Sequence, residues 1–341
     1  MEIGLYTFGD LMPHGTEGRF AGPKQRLQEI IAAARLADEA GLDVFALGEH
    51  HRLDFAIAAT PVVLAAIAQA TARIRLGSAV TILSTADPVK VFEDFATVDL
   101  ISGGRAEIMA GRGIFTESFP LFGYDLAEQD ALFGEKLELL LRLNTAERVT
   151  WQGRFRSALN NAPIPPRPER PLPIWIATGG TQSSVIRAAE LALPLVFANI
   201  SLLPARLAPL AGVYRRTATA AGHRVGDLKV AVAAHLHVQR NSQDAMNAFY
   251  PYYSDYFRTH TPTQYSARQI TRTDYEQLAG PEGPLFVGSP QQIIDKIHYE
   301  RELFGHQRFI VQIDIGGLPY AQVAAVIELL AKDVMPAVRG L

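Results

Sequence analysis

Residues 75–110 read RLGSAVTILSTADPVKVFEDFATVDLISGGRAEIMA and contain one complete strand–helix–strand unit. The run Arg75–Ile82 predicts a strand, and Asp87-Pro88 then supplies the N-cap and first position of a helix that continues to about Ile101. A Ser-Gly-Gly sequence ends this helix, and Arg105–Ala110 predicts the next strand. Two apolar strands joined through a helix are typical of a parallel sheet that is covered on both faces.

The same alternation continues on both sides of this unit. We predict eight strands, each followed by a helix. The strands are predicted at Ile3–Phe8, Val44–Gly48, Arg75–Ile82, Arg105–Ala110, Pro173–Ala177, Leu195–Asn199, Lys229–Val238 and Phe309–Ile313. Eight such units favour a closed (β/α)8 TIM barrel of the α/β class over an open doubly wound sheet. We therefore predict a single TIM-barrel domain over residues 1–341, with an insertion near strand seven at approximately residues 259–286.

Two segments interrupt the rhythm between strands four and five. Arg148–Phe155 predicts a hairpin that turns at Gln152-Gly153. Six prolines then fall between residues 163 and 173, which excludes a helix or an interior strand there. The alternative to an ordered surface connection is a flexible linker between two domains. Because the strand–helix rhythm resumes unchanged after the prolines, we favour one domain.

Composition narrows the function classes. The chain has no cysteine, which excludes disulfides, thiolate metal sites, iron–sulfur clusters and cysteine nucleophiles. The formal net charge is −3, with 48% apolar and 20% charged residues, so no basic surface for nucleic acid or anionic lipid is expected. The longest apolar stretch, around residues 62–70, is far shorter than the ~20 residues of a membrane span. With no basic targeting region at the N-terminus, the expected location is the cytoplasm.

Histidines draw attention because active sites of TIM barrels lie at the C-terminal ends of the strands. Gly48-Glu49-His50-His51 follows strand two, and a histidine there can act as a general base, a hydrogen-bond donor or a metal ligand. A purely structural histidine is the alternative. His235 and His237 share a face of strand seven. With His50 they suggest a metal site, which we disfavour because no carboxylate on a neighbouring strand completes the set.

An anion site is predicted where strands four and five end. Arg112 follows strand four between two glycines, which leaves its guanidinium fork free to meet a phosphate. Gly179-Gly180-Thr181 follows strand five just before a helix, where backbone N–H groups favour an anion. A rim salt bridge and an ordinary tight turn are the alternatives. Since the two strands are neighbours, both groups can hold one phosphate. The small residues Ser78–Thr81 in the last part of strand three let a flat ligand approach the backbone.

Taken in chain order, these segments resemble the bacterial luciferase superfamily of flavin-dependent oxidoreductases. Each motif is short, but several occur in the same order over nearly the whole chain. The segments that carry the resemblance are Phe45–His51, Leu76–Val80 with Asp87-Pro88 and Glu93-Asp94, Ser102–Arg105, Gly111–Gly113, Pro173–Gly180, Val287–Pro290 and Asp333–Pro336.

The resemblance implies a cofactor, partners and roles for individual residues. It implies FMN in its reduced form, supplied by a separate flavin reductase and used with molecular oxygen on a small organic substrate such as an aldehyde, alkane or aromatic compound. The family's histidine near the flavin ring matches His50, and its non-proline cis peptide behind the ring matches Ala79-Val80. Its phosphate-binding arginine matches Arg112, and its phosphate loop matches Gly179, Gly180 and Thr181. Family members commonly pair through helices near strands two and three, which implies a dimer; we expect a homodimer, and a heterodimer with a related chain is the alternative.

Two departures limit what the resemblance implies. Luciferase carries a reactive cysteine at the position of Gly111, and a glutamate and a serine where this chain has Thr178 and Gly179. Light emission is therefore not expected. Two alternatives on the same fold are a deazaflavin-dependent reductase or dehydrogenase that works without oxygen and a flavin-binding protein without catalysis. A metal-dependent hydrolase is a more distant alternative.

Overall fold

The computed structural model describes residues 1–11, 22–260 and 270–341, which alternate between strands and helices. The strands are β1 (Glu2–Thr7), β2 (Val44–Leu47), β3 (Arg75–Ser78), β4 (Thr81–Ile82), β5 (Ala106–Gly111), β6 (Arg148–Trp151), β7 (Leu159–Pro163), β8 (Ile174–Thr178), β9 (Leu195–Ala198), β10 (Val230–Val238), β11 (Leu285–Gly288) and β12 (Arg308–Gln312). The helices are α1 (Pro23–Glu39), α2 (Thr60–Ala70), α3 (Pro88–Ser102), α4 (Ser118–Phe122), α5 (Gln129–Thr145), α6 (Gln182–Glu190), α7 (Pro204–Ala220), α8 (Ser242–His260), α9 (Arg272–Leu278), α10 (Pro290–Phe304), α11 (Tyr320–Leu329) and α12 (Met335–Val338).

Eight parallel strands close into a barrel. Their order is β1-β2-β3-β5-β8-β9-β10-β12, and β12 pairs with β1 to complete the ring. The helices pack on the outside, where a large apolar cluster fills the space between them and the strands. This arrangement confirms the predicted TIM barrel. Within the residues that the structure describes, no helix is both long and apolar enough to cross a membrane.

Strand three is broken where the sequence predicts one continuous strand. Gly77 pairs with Glu107 and Thr81 with Ala110, so β3–β4 contains one residue more than β5 between the two pairings, which is a bulge. The Ser78 hydroxyl bridges the interruption, because it accepts from the Met109 N–H at 3.0 Å and donates to the Met109 carbonyl at 3.1 Å. The side chain thereby replaces ladder hydrogen bonds that the bulge removes.

The hairpin between strands four and five has its second strand later than predicted. β6 pairs with β7, which begins at Leu159 rather than before Phe155. The intervening backbone is held by α5 instead, because the N–H groups of Arg154, Phe155 and Arg156 donate to the Glu135 carboxylate at 2.7–3.1 Å. A side-chain acceptor from another element thus competes with strand pairing, which local sequence does not reveal.

The segment after β10, which covers the predicted insertion of residues 259–286, contains regular structure. It includes α9 and the start of β11, which pairs in parallel with His235–Val238 at the end of β10. Only four residues long, β11 gives too short an apolar run for a prediction from pattern alone. The rest of the predicted insertion includes residues 261–269, which lie outside the described residues.

The barrel interior is closed at the end where the strands begin. Arg308 at the start of β12 forms a buried ion pair with Glu107 and donates through Nε to Glu2 Oε2 at 2.6 Å. Its guanidinium also lies 4.3 Å from the centre of the Trp175 ring. A pair that is satisfied from several sides stabilises this end, and it leaves the opposite end, where the strands finish, for a ligand.

Candidate functional site

His50 lies directly after β2 in a box of aromatic rings. Its backbone N–H donates to the Ile57 carbonyl at 2.9 Å, which fixes the chain at this point. The imidazole stacks on Phe55 at 4.3 Å and meets Phe8 and Phe115 edge-on at 4.7 and 4.8 Å. Burial, with nearby His260 and Arg52, lowers the pKa of His50 to about 3. The ring is therefore neutral at physiological pH and acts through hydrogen bonds rather than charge.

A network of charged side chains anchors the surroundings of His50. Arg52 donates to both carboxylate oxygens of Asp54 at 2.9 Å and to Glu117 at 3.1 Å. Asp54 Oδ2 in turn lies 3.0 Å from Nε2 of His260, at the end of α8. Although burial opposes ionisation, the hydrogen bonds from Arg52 and the nearby His260 lower the pKa of Asp54. The network connects the segments after β2 and β5 to α8, which sequence reasoning did not anticipate.

Arg112 and Thr181 meet as the sequence predicts. Arg112 follows β5, and its Nη2 donates to the Thr181 hydroxyl at 2.8 Å. A Cβ added to Gly179 would meet no atom within 4 Å, so the space in front of this turn is open. Two neighbouring strands thus present an arginine and a glycine turn to the same open region.

The backbone of the glycine turn differs from the expectation. The N–H groups of Gly180 and Thr181 both donate to the Thr178 hydroxyl, at 3.1 and 3.0 Å, so these two amides are already engaged. Thr181 is the N-cap residue of α6, but its side chain makes no capping hydrogen bond, since its hydroxyl accepts from Arg112 instead. The Gly180 amide is therefore not available to a ligand, whereas the first amides of α6 have no side-chain cap.

Asp130 and Arg187 join this region although the sequence analysis did not single them out. Asp130 Oδ1 accepts from Arg112 Nη1 at 3.1 Å, and Asp130 Oδ2 lies 3.6 Å from Arg187 Nη2. The Nη1 of Arg187 is buried and has no hydrogen-bond partner among the described residues. The three side chains come from β5, α5 and α6, and no spacing in the sequence brings such distant positions together.

The bulge in strand three forms a wall of small groups beside the arginine. The Ala79–Val80 peptide bond is cis, as the family resemblance implies. A Cβ on Gly111 would lie 2.8 Å from Val80 Cγ2, and one on Gly48 would lie 2.7 Å from the Ala79 carbonyl oxygen. Glycine is therefore required at both positions for the bulge to lie against its neighbours. A wall of this kind accommodates a flat ligand.

Polar side chains form a row on the other side of the barrel. Tyr6, Gln312 and His235 are register partners on β1, β12 and β10. Their side chains face the interior, because residues two positions earlier on β12 and β10, Ile310 and Ala233, belong to the cluster inside the barrel. Gln312 and His235 are at most 1% exposed, and all four of their side-chain polar atoms lack a hydrogen-bond partner among the described residues.

This row, which we call the polar row, carries no charge near neutral pH. Burial lowers the pKa of His235 to about 3. Burial and the carboxylates of Asp314 and Asp10 raise the pKa of Tyr6 far above its ordinary value. Gln312 does not titrate. The polar row is therefore suited to bind an uncharged hydrogen-bonding group of a ligand.

His237 does not join His50 and His235. Its ring stacks on Phe249 at 5.0 Å, and its Nε2 lies 3.1 Å from the side-chain nitrogen of Gln239. Over the described ranges, no group of three or more histidine, aspartate or glutamate side chains is arranged to hold a metal ion.

The match to known families follows this geometry. Residues 1–307 match the model of the family described as luciferase-like monooxygenase. The chain belongs to this family of flavin-dependent oxidoreductases. Among characterised relatives, it is 24% identical over 345 residues to the oxygenase component of a flavin-dependent trigonelline monooxygenase from Acinetobacter baylyi, covering 92% of this chain and 90% of that one.

Solved structures with the same fold include both oxygenases and dehydrogenases. The monooxygenase RslO1 from Streptomyces bottropensis has a TM-score of 0.84 and 24% identity over 98% of this chain and 99% of its own. The oxygenating constituent of 3,6-diketocamphane monooxygenase from Pseudomonas putida, solved with FMN, has a TM-score of 0.77 and 20% identity over 99% and 98%. A secondary alcohol dehydrogenase dependent on coenzyme F420 has a TM-score of 0.76 and 17% identity over 99% of both chains. These likenesses establish the fold and leave the cofactor to be assigned.

Proposed function

We propose that the protein is the oxygenase component of an FMN-dependent monooxygenase. It takes reduced FMN from a separate flavin reductase and uses molecular oxygen to oxygenate a small organic substrate. The observation that carries this proposal is the contact between Arg112 and Thr181 beside the bulge at Ala79–Val80. The relative named as an oxygenase component and the fold neighbour solved with FMN support it.

The residues present fit FMN. The donors for a phosphate are Arg112, the uncapped first amides of α6 and the buried Nη1 of Arg187, which has no partner in the part of the chain that the structure describes. The bulge at Ala79–Val80 offers the flavin ring a wall without large side chains. When bound, FMN supplies the redox chemistry with oxygen, while the protein positions the reactants.

His50 is the residue that we propose acts on the reacting atoms. Its Nδ1 is buried and has no hydrogen-bond partner among the described residues. The aromatic box of Phe8, Phe55 and Phe115 excludes water from the ring and keeps it neutral. A neutral imidazole in such a box can donate or accept one hydrogen bond and hold a proton at Nδ1 during turnover.

The polar row is the part of the site that we propose faces the organic substrate. Tyr253, Tyr256 and Phe257 of α8 surround His235 with ring centres 6.0–6.2 Å away. An apolar body packed on these rings, with one carbonyl or hydroxyl group reaching Gln312 or His235, would satisfy the orphaned polar atoms. A carboxylate or ammonium would meet no opposite charge among the three residues of the row.

The test is a binding titration with oxidised FMN, reduced FMN and the deazaflavin coenzyme in parallel, followed by measurement of oxygen uptake with a panel of neutral organic compounds. Tighter binding of reduced FMN, together with substrate-dependent oxygen uptake, is expected. Preference for the deazaflavin and no oxygen uptake would favour the dehydrogenase alternative, to which one fold neighbour points. Tight FMN binding with no accelerated oxidation would indicate a flavin-binding protein without catalysis.

We also propose that the protein is a homodimer. The helices α2 and α3 pack side by side next to strands two and three. They expose Val62 to 70%, Leu100 to 47% and Ile101 to 43%. Apolar side chains that are exposed on adjacent helices are typical of a subunit interface. Light scattering of the purified protein tests this proposal, and a monomeric mass would contradict it.

A further inference from the structure

Asp130 lies between two arginines in the region proposed for the phosphate. Its Oδ1 accepts from Arg112 at 3.1 Å, and its Oδ2 lies 3.6 Å from Arg187. The acid belongs to the first turn of α5 and Arg187 to the last turn of α6. A carboxylate that contacts two guanidinium groups occupies the place that an anionic ligand would take.

The two arginines are held more firmly than the acid between them. Arg112 and Arg187 are 26% and 25% exposed, whereas Asp130 is 54% exposed. Arg187 lies over the Phe133 ring at 5.4 Å, and Arg112 also donates to Thr181. Two positive charges face one negative charge, and Arg187 Nη1 has no hydrogen-bond partner in the described chain. The exposed carboxylate can therefore leave at small cost while the arginines stay in position.

We propose that Asp130 is an internal counter-ion of the Arg112–Arg187 pair, which the phosphate of the flavin displaces on binding. This inference rests on the proposed function. A phosphate dianion and the Asp130 carboxylate repel each other and compete for the same donors. Asp130 thus keeps the affinity for phosphate below what two free arginines would give. Weaker binding suits an oxygenase that takes reduced flavin from another protein and must release the oxidised form.

The experiment compares FMN with riboflavin, which lacks the phosphate, in the Asp130→Asn variant. Removal of the charge is expected to tighten FMN binding by about threefold to tenfold, since the acid is partly screened by solvent. Riboflavin binding is expected to stay unchanged. The dissociation rate of FMN, measured by stopped-flow fluorescence, should fall by a similar factor, because the competing carboxylate no longer assists release.

Two further variants test whether the change in FMN affinity depends on the position of the removed charge and on the Arg187 donor. Asp125 is an exposed acid in the chain segment just before α5, and it caps a short turn by accepting from the Ala127 N–H at 2.9 Å. Asp125→Asn removes the same charge, keeps the cap and touches neither arginine, so little change in FMN affinity is expected. Arg187→Met keeps the packing on Phe133 but removes the donor. It should weaken FMN binding several-fold and leave riboflavin binding unchanged.

The outcomes separate this inference from the proposed function. If the native protein binds FMN no more tightly than riboflavin, the phosphate site fails and the counter-ion role fails with it. If the native protein prefers FMN but Asp130→Asn has unchanged or weaker FMN affinity, the phosphate site stands and the counter-ion role is overturned. Equal tightening by Asp125→Asn would also overturn it, because the effect would then be one of overall charge.

Discussion

The polar side chains in the two halves of the barrel opening differ in charge, exposure and pairing. In the half formed by β3, β5 and β8, Arg112, Asp130 and Arg187 are charged, partly exposed and in contact with one another. In the half formed by β10, β12 and β1, Gln312 and His235 are uncharged and buried, and their side chains have no hydrogen-bond partner among the described residues. A charged ligand group is best bound near solvent, where little desolvation is needed, whereas a buried neutral pair selects a neutral group. The same backbone architecture thus provides two different binding chemistries.

The largest expected effect concerns His50, which lies next to both halves. His50→Ala is expected to lower turnover by about 10²- to 10⁴-fold, the usual contribution of a positioned proton donor or acceptor. FMN affinity should stay nearly unchanged, because the phosphate donors are on other strands. Steady-state oxygen uptake and a flavin titration measure the two quantities. His50→Gln, which keeps a hydrogen-bonding side chain, should recover part of the turnover, and unchanged turnover in the alanine variant would remove His50 from the mechanism.

The charged half is tested by Arg112→Ala. Loss of a charge-assisted hydrogen bond should weaken FMN binding by ~1.5–3 kcal/mol. Riboflavin binding should change little, because it has no phosphate for the arginine to contact. Fluorescence titration of both flavins measures the difference. Equal FMN affinity in the variant and the native protein would contradict the assignment of the phosphate to this half.

The neutral half is tested by pH. His235 has an ordinary pKa when unfolded and a pKa of about 3 when folded, so the unfolded state binds the extra proton below about pH 6.5. The contribution of His235 to the free energy of unfolding is therefore fully present above that pH and decreases as the pH falls. On acidification from pH 7.5 to 5.5, protonation of this one histidine in the unfolded state should lower the free energy of unfolding by about 1.4 kcal/mol.

The contribution of His235 to the pH dependence of stability is measured by urea unfolding of the native protein and of His235→Gln at both pH values. The variant should lose about 1.4 kcal/mol less stability on acidification. His306 provides a matched control outside the site, because burial also lowers its pKa to about 3. His306→Gln should show the same reduction without any change in turnover. An unaltered pH dependence in His235→Gln would mean that His235 is solvated in the folded protein.

The smallest expected effect concerns Gln312. Gln312→Leu removes two buried polar atoms that have no partner in the described chain, so the protein without ligand should become more stable by about 1 kcal/mol. Gln307 is the control, because its side chain accepts from the Val230 N–H at 2.9 Å and donates to the Gly305 carbonyl at 2.8 Å. Gln307→Leu should destabilise the protein. A destabilised Gln312→Leu protein would show that this amide is already satisfied in the absence of substrate.

Local sequence was sufficient for most of the framework. Asp87 accepts from the Val89 N–H at 2.8 Å and caps α3 as predicted, and Ser289 with Gln292 forms a capping box at the start of α10. Apolar runs placed the eight barrel strands. The pattern did not reveal the short β11 or the late start of β7, because their pairing depends on partners elsewhere in the chain.

The residues of the candidate site also fall into two groups, those that the sequence analysis singled out and those that it missed. His50, Ala79-Val80, Arg112 and the turn Gly179–Thr181 follow strand ends, so a chain-order argument was able to single them out. A weak sequence signal pointed to Gln312. It is a polar residue within an apolar run, and it lies two residues after Ile310, at a position that faces the barrel interior. Asp130 had none, because the first turn of any helix is rich in acids.

The sequence by itself determined the order of strands and helices, the closure into a barrel and the end of the barrel at which we propose the active site. These properties follow from hydrophobic period, capping residues and the rule that catalytic groups follow barrel strands. Only the tertiary structure decided which donors lie together and which polar side chains have no partner among the described residues. Partners such as Arg187 and Asp130, or Gln312 and His235, are brought together by barrel closure and register, and their burial fixes their charge.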